Sequence, residues 1–149
     1  MSLEQGQEIE LKVTPDPFVT VRYAGASGDF NPIHIDEEFA RSVGLPGRIL
    51  HGLWSMAQVA RAHTEAFGGP ESLAALSVQF RGMGVPEKEV RVRGTVTEAG
   101  EEGMRTKAEA TQDGTRIVRN ALGEVRAVGG QAQQLGGVPG GGPSTSTAG

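Results

Sequence analysis

The hydrophobic pattern changes period midway along the chain. Residues 7–14 alternate Ile9, Leu11 and Val13 with polar neighbours, which predicts a first strand. Asp16-Pro17 is a helix start with proline at the first helical position, and a short helix is expected to about Ala26. Asp36 can cap a second short helix over DEEFARSV, ended by GLPG at 44–47. Residues 53–67, LWSMAQVARAHTEAF, are apolar almost all round in their first two turns, so this helix is expected in the interior with its far end in solvent. Beyond Pro70 the period becomes two. Leu76, Val78 and Phe80 form one apolar face, Val90, Val92 and Val96 another, and Met104, Ala108 and Ala110 a third. MGVPE, EAGEEG and QDG mark the turns between them, and Asp113-Gly114 is a short hairpin signal. The last run, TRIVRNALGEVRAV, carries apolar residues at both parities and is expected deeper in the sheet. The sum is an α+β architecture, an antiparallel sheet curling around one apolar helix.

Composition narrows the function classes. The chain has 149 residues, and residues 1–128 read as one domain. Residues 129–149 are rich in Gly, Pro and Ser and carry no charge, so they read as a flexible tail. A net charge of −4 with no basic face argues against nucleic acid as a partner. The apolar stretches are too short to span a bilayer, and MSLEQGQEIELKV lacks the apolar core of a secretory leader. With no cysteine there are no thiol nucleophiles or Cys-metal sites, and a cytoplasmic location is expected.

The chemistry concentrates in residues 23–40, YAGASGDFNPIHIDEEFA, and in His51-Gly52. Ser27-Gly28-Asp29 ends the first helix, with Gly28 supplying a positive φ. Asn31-Pro32 stiffens the following turn. Asp29 and His34 then stand five residues apart across a rigid bend expected to be non-helical. A carboxylate and an imidazole together can remove a proton beside a carbonyl and protonate a departing hydroxyl. Gly52 directly precedes the apolar helix, so its N–H lies at the positive end of the helix dipole and can receive a developing oxyanion. Singly, Asp29 reads as a turn residue and His34 as a core histidine; together in this run they read as catalytic.

The run SGDFNPIHID…A with PGRILHG downstream resembles the MaoC-like, hydratase-2 family of (R)-specific enoyl-CoA hydratases and dehydratases, over about residues 8–128. The resemblance implies a hot-dog fold, in which a sheet wraps a central helix. It implies reversible hydration of trans-2-enoyl thioesters to (R)-3-hydroxyacyl thioesters in fatty-acyl metabolism. Asp29 and His34 would hold the catalytic water, and the Gly52 N–H would help form the oxyanion hole. Asn31 would brace the loop, with Ser27 and Gly28 supporting it. No cofactor is implied beyond the coenzyme A or acyl carrier protein that carries the substrate. The implied partner is a second copy, giving a dimer, or another hot-dog chain in a hetero-oligomer. Where some members carry a serine about two turns into the central helix, this chain has Ala60, and the nearest hydroxyl is that of Ser55. In this respect the chain resembles the dehydratase subunits of long-chain fatty-acid synthesis. Thioester hydrolysis is the alternative chemistry on the same fold, and a subunit of a heteromeric dehydratase is the alternative role.

Other residues carry plainer readings. His51 is expected to cap or brace the helix, and His63 to face solvent on the later, polar part of it. Trp54 is core. The three histidines show no two-His helical spacing with a nearby acid, so no metal site is expected. Arg41, Arg48 and Arg61 are candidates for the phosphates of a coenzyme A or pantetheine arm, and are surface charges by default. The Arg91 and Arg93 face is read as a solvated strand face.

Overall fold

The computed structural model describes residues 4–127. The expected tail, 129–149, lies outside them. The chain runs β1 (Glu8–Val13), α1 (Val19–Ser27), α2 (Pro32–Ile35), α3 (Glu37–Ser42), α4 (Gly52–Ala66), a 3-10 turn at Pro70–Ser72, then β2 (Leu73–Phe80), β3 (Val90–Gly100), β4 (Gly103–Gln112) and β5 (Thr115–Arg126). The five strands form one antiparallel sheet in the order β1-β3-β4-β5-β2. Helix α4 contacts all five strands, so the sheet curls around it. This is the α+β, helix-in-sheet architecture that the periodicity predicts. No helix among the described residues is long and apolar enough to cross a membrane.

The core follows from the alternation. Ile9 and Leu11 of β1, Val90, Val92 and Val96 of β3, and Ala108 and Ala110 of β4 turn inward onto Trp54, Val59 and Ala62 of α4. The both-parity pattern of the last run has a specific cause. Ile117 and Val118 are both buried, and Asn120 then takes φ 47°, a left-handed conformation that asparagine tolerates. The β2–β5 and β4–β5 registers shift around this point. The bulge changes the parity of β5, so Ala121 and Val125 also face inward. Asp113 and Gly114, at φ 49° and 75°, make the two-residue turn between β4 and β5.

Two expectations for α4 are corrected. Its apolar start is not enclosed: Leu53 and Ala57 are exposed, because the sheet of a single chain covers only one side of the helix. Conversely His63 is fully buried rather than solvated. Its Nδ1–H donates to the Val59 carbonyl at 2.7 Å, so Nε2 is the acceptor for the Thr106 hydroxyl at 2.7 Å. Gly123 on β5 provides the space, since a Cβ there would lie 2.9 Å from His63 Nε2 and 2.4 Å from Thr106 Oγ1. The inner face of β4 is thus partly polar. At its far end the buried Gln112 side chain accepts from the Val85 N–H (2.8 Å) and donates to the Val85 and Lys88 carbonyls (2.8 and 3.0 Å), tying the β2–β3 loop to the sheet.

Burial holds the His63 pKa below the usual histidine value, against the opposing pull of the Val59 carbonyl. The folded ring therefore stays neutral where an unfolded one, with a pKa near ~6.5, begins to take a proton. Below that pH the unfolded state binds more protons, and stability falls with falling pH. Urea unfolding at pH 7.5 and again at pH 5.5 is expected to show this loss in the wild type and a smaller one in His63→Leu. Equal losses in the two proteins would count against it.

Candidate active site

Helix α1 delivers the first half of the site. It ends at Gly28, whose φ of 78° is left-handed and whose N–H closes onto the Ala24 carbonyl at 2.8 Å. Ser27 Oγ donates to the Tyr23 carbonyl (2.7 Å) and accepts the Asp29 N–H (3.2 Å), so the chain leaves the helix along a defined path. One Asp29 carboxylate oxygen, Oδ1, accepts the Asn31 N–H at 3.2 Å. The other, Oδ2, accepts no hydrogen bond among the described residues and lies 3.8 Å from His34 Nε2. The Asp29 side chain is about half exposed, at 52%.

The bend before His34 is helical, contrary to expectation. Pro32–Ile35 forms a single turn, α2, with Asn31 as its N-cap: Asn31 Oδ1 accepts the Ile33 N–H at 3.2 Å, and proline occupies the first position. Asn31 therefore braces the loop by capping the turn that carries His34. His34 is buried. Its Nδ1 lies 2.8 Å from the Ile49 carbonyl, which can only accept, so Nδ1 carries the hydrogen in the neutral ring. Nε2 then bears the lone pair, 3.8 Å from Asp29 Oδ2. That gap is too long for a direct hydrogen bond and has the width that one bridging water would span. The structure thus brings Asp29 and His34 together.

His51 joins them. Its ring stacks on His34 with centroids 3.8 Å apart and planes 23° apart, and its Nε2 lies 3.1 Å from the Asp29 carbonyl oxygen. It is the N-cap of α4 through its backbone alone, without a side-chain cap bond, and its ring braces Asp29 instead. The expectation of no metal site rests on the lack of helical spacing, and the fold brings donor atoms of Asp29, His34 and His51 within 4.8 Å of one another nonetheless. The donor set is a poor cradle for an ion, however. Ring nitrogens coordinate in the ring plane, and two stacked rings hold their free lone pairs in nearly parallel planes rather than aimed at one point. No helical spacing betrays this cluster; only the fold brings residue 51 beside 29 and 34.

Gly52 begins α4, and its N–H has no hydrogen-bond acceptor among the described residues. It is an orphan donor of the first turn, at the positive end of a 15-residue helix. A Cβ at this position would meet the Phe80 ring at 3.2 Å, so glycine lets that ring pack against the start of α4. Ser55, one turn on, is buried. The three arginine candidates are each paired with a carboxylate: Arg41 and Arg48 with Glu37 (3.2 and 3.1 Å) and Arg61 with Glu65 (2.7 Å). The Arg48 N–H and guanidinium hold the Glu37 carboxyl below its ordinary pKa. This pair ties α3 to the strap running from Gly47 to Leu50, where Gly47 has φ 155° and a Cβ would collide with Glu37.

Comparison with known proteins is consistent with this geometry. A family profile described as "MaoC like domain" matches residues 2–117. The peroxisomal hydratase-dehydrogenase-epimerase of Saccharomyces cerevisiae is 36% identical over 86 residues, covering 58% of this chain and 9% of that protein. Fatty acid synthase subunit beta of Aspergillus oryzae is 41% identical over 80 residues, 52% of this chain and 4% of that protein. The chain therefore spans a small fraction of these curated relatives. Among solved structures, the unliganded R-hydratase PhaJ1 of Pseudomonas aeruginosa superposes with a TM-score of 0.77 at 25% identity, covering 84% of this chain and 82% of that one.

Asn31→Ala is expected to lower unfolding stability by about 1 kcal/mol through loss of the α2 cap, and Asn31→Ser, which retains an acceptor, to recover most of it. Urea titration of the three proteins checks this.

Proposed function

The chain belongs to the MaoC-like domain family, and from that membership we propose that it is a hydro-lyase interconverting trans-2-enoyl and (R)-3-hydroxyacyl thioesters. The observation that carries the reading is the 3.8 Å gap between Asp29 Oδ2 and the lone-pair-bearing Nε2 of His34. A water in that gap contacts a carboxylate and an imidazole at once. In the hydration direction one of the two takes a proton from the water while its oxygen bonds to C3 of the enoyl group. The electron pair of the C2–C3 double bond moves toward the thioester carbonyl, whose oxygen becomes enolate-like. The Gly52 N–H is the proposed donor to that oxygen. The proton taken from the water, passed through the pair, is then delivered to C2 and restores the thioester, and dehydration runs the same steps backward. The assignment of base and acid between Asp29 and His34 is left open, since both reach the same water. Addition to give the (R)-alcohol is proposed on the likeness to R-hydratase PhaJ1.

No metal or redox group enters this chemistry as proposed; the substrate arrives on coenzyme A or acyl carrier protein. The cytoplasm is the proposed compartment, as the sequence suggests. The proposed partner is a second hot-dog chain, most simply another copy. Two features support this: β2 is an edge strand with half-exposed Leu76, Val78 and Phe80, and α4 leaves Leu53 and Ala57 uncovered. An exposed apolar edge strand is ordinarily covered.

Asp29→Asn and His34→Ala are each expected to lower kcat for hydration of an enoyl-CoA by about 10²–10⁴ while leaving the folded spectrum intact. Turnover near the wild-type rate in both variants would sink the assignment. Sedimentation at micromolar concentration is expected to give the mass of a dimer; a monomer active on its own would refute the partner.

A further inference from the structure

The motif accounts for Asp29, His34 and Gly52, but not for the ring that touches the first two and immediately precedes the third. His51 is 3% exposed. Its Nε2–H donates to the Asp29 carbonyl at 3.1 Å, which leaves Nδ1 with the lone pair in the neutral ring. That Nδ1 is buried and has no hydrogen-bond partner among the described residues. An unpaired buried acceptor is destabilising, and a phenyl ring in the same place would avoid it. The ring makes no cap bond to α4 either. A side chain that leaves a buried atom unsatisfied and does not serve its own helix is placed for some other task.

The contacts identify the task. One face of His51 lies on His34, with centroids 3.8 Å apart, and Tyr23 packs against it at 4.7 Å and a 45° tilt. Its outer nitrogen holds the peptide that carries the Asp29 side chain. Its own backbone, at φ −65° and ψ 136°, is the N-cap of α4 and sets the direction of the Gly52 N–H. We propose that His51 is a positioning residue for the hydration reaction: a flat plate behind His34 whose Nε2–H pins the Asp29 peptide, so that carboxylate and imidazole keep their one-water separation. This rests on the hydratase reading above. Neither function alone requires histidine. A phenyl ring supplies the plate and a glutamine supplies the donor; imidazole supplies both within one rigid ring.

Three substitutions separate these contributions. His51→Gln places an amide N–H where Nε2–H stands. His51→Asn places one only at the Nδ1 position, short of the Asp29 carbonyl. His51→Phe retains the plate and removes both the donor and the orphan acceptor. On an enoyl-CoA substrate, Asn and Phe are expected to lower kcat by about 100-fold, the scale of a misplacement near 1 Å, with KM changed less than about threefold. Gln is expected to stay within about tenfold of wild type. His51→Phe is expected to unfold at a temperature no lower than wild type, so activity and stability move apart. A purely structural role would make them fall together. Full activity in His51→Phe, or a Gln variant as slow as Asn, would overturn the proposal.

A second measurement does not depend on turnover or on variant folding. The ring 15N spectrum of the wild-type protein should show His51 protonated at Nε2 and bare at Nδ1. A signal showing the opposite tautomer overturns the pin. If the wild type hydrates no enoyl thioester of any length, the hydratase reading fails, and the spectrum still decides whether His51 donates to Asp29.

Discussion

The Ile49 carbonyl determines which nitrogen of His34 is free. It accepts from Nδ1 at 2.8 Å, while the Ile49 N–H donates to the Ile33 carbonyl at 3.1 Å. The strap from Gly47 to Leu50 and the one-turn helix α2 are thereby joined on both sides, one backbone bond and one side-chain bond apart. The tautomer, the ring orientation and the 3.8 Å distance to Asp29 follow from this doubled link. So does the stacking of His51, which lies two residues beyond Ile49, just past the end of the strap. The strap itself is held outside the site by Glu37 and Arg48 and inside by the Leu50 N–H bonded to the Gly84 carbonyl at 2.8 Å. The proposed acid–base pair thus depends on contacts that begin some distance from it.

The division of labour between halves of the chain explains why the fold supports this arrangement. The sheet and α4 supply a rigid body, because strand alternation buries a continuous apolar face on Val59, Ala62 and Trp54. The groups proposed to react come from short helices and turns laid over one end of α4. Those segments have little core of their own. They are ordered by Asx-type bonds at Asp29, Asn31 and Asp36, each accepting a backbone N–H two or three residues on. Polar side chains thus do locally what burial does elsewhere.

Most of the fold was legible from period alone. The strands, α4, the Asp113-Gly114 turn and the Asp36 cap occupy nearly the predicted places, because each is encoded by residues adjacent in sequence. The approach of Asp29 to His34 and the bracing by Asn31 were legible because spacing and turn chemistry lie within one short run. What escaped depends on residues distant in the chain. His63 is buried because Gly123, sixty positions later, has no side chain there, whereas the polar residues around it at the end of the helix read as solvated. His51 reads as a bland helix neighbour until the strap brings it under His34. The α2 turn was missed because four residues are too few to show a period. The exposure of Leu53 and Ala57 reflects the finite width of the sheet, which no local pattern reports.

The left-handed Asn120 has a consequence for how this family can drift. Before it, β5 presents Ile117 and Val118 inward; after it, the strand faces the helix with Ala121 and Val125. Gain or loss of one residue on either side would exchange interior and exterior for everything up to the next turn, ejecting Val125 and bringing Glu124 against the core. The final strand should therefore accept many changes of residue but almost no change of length, and tolerance to insertion should resume only beyond its end.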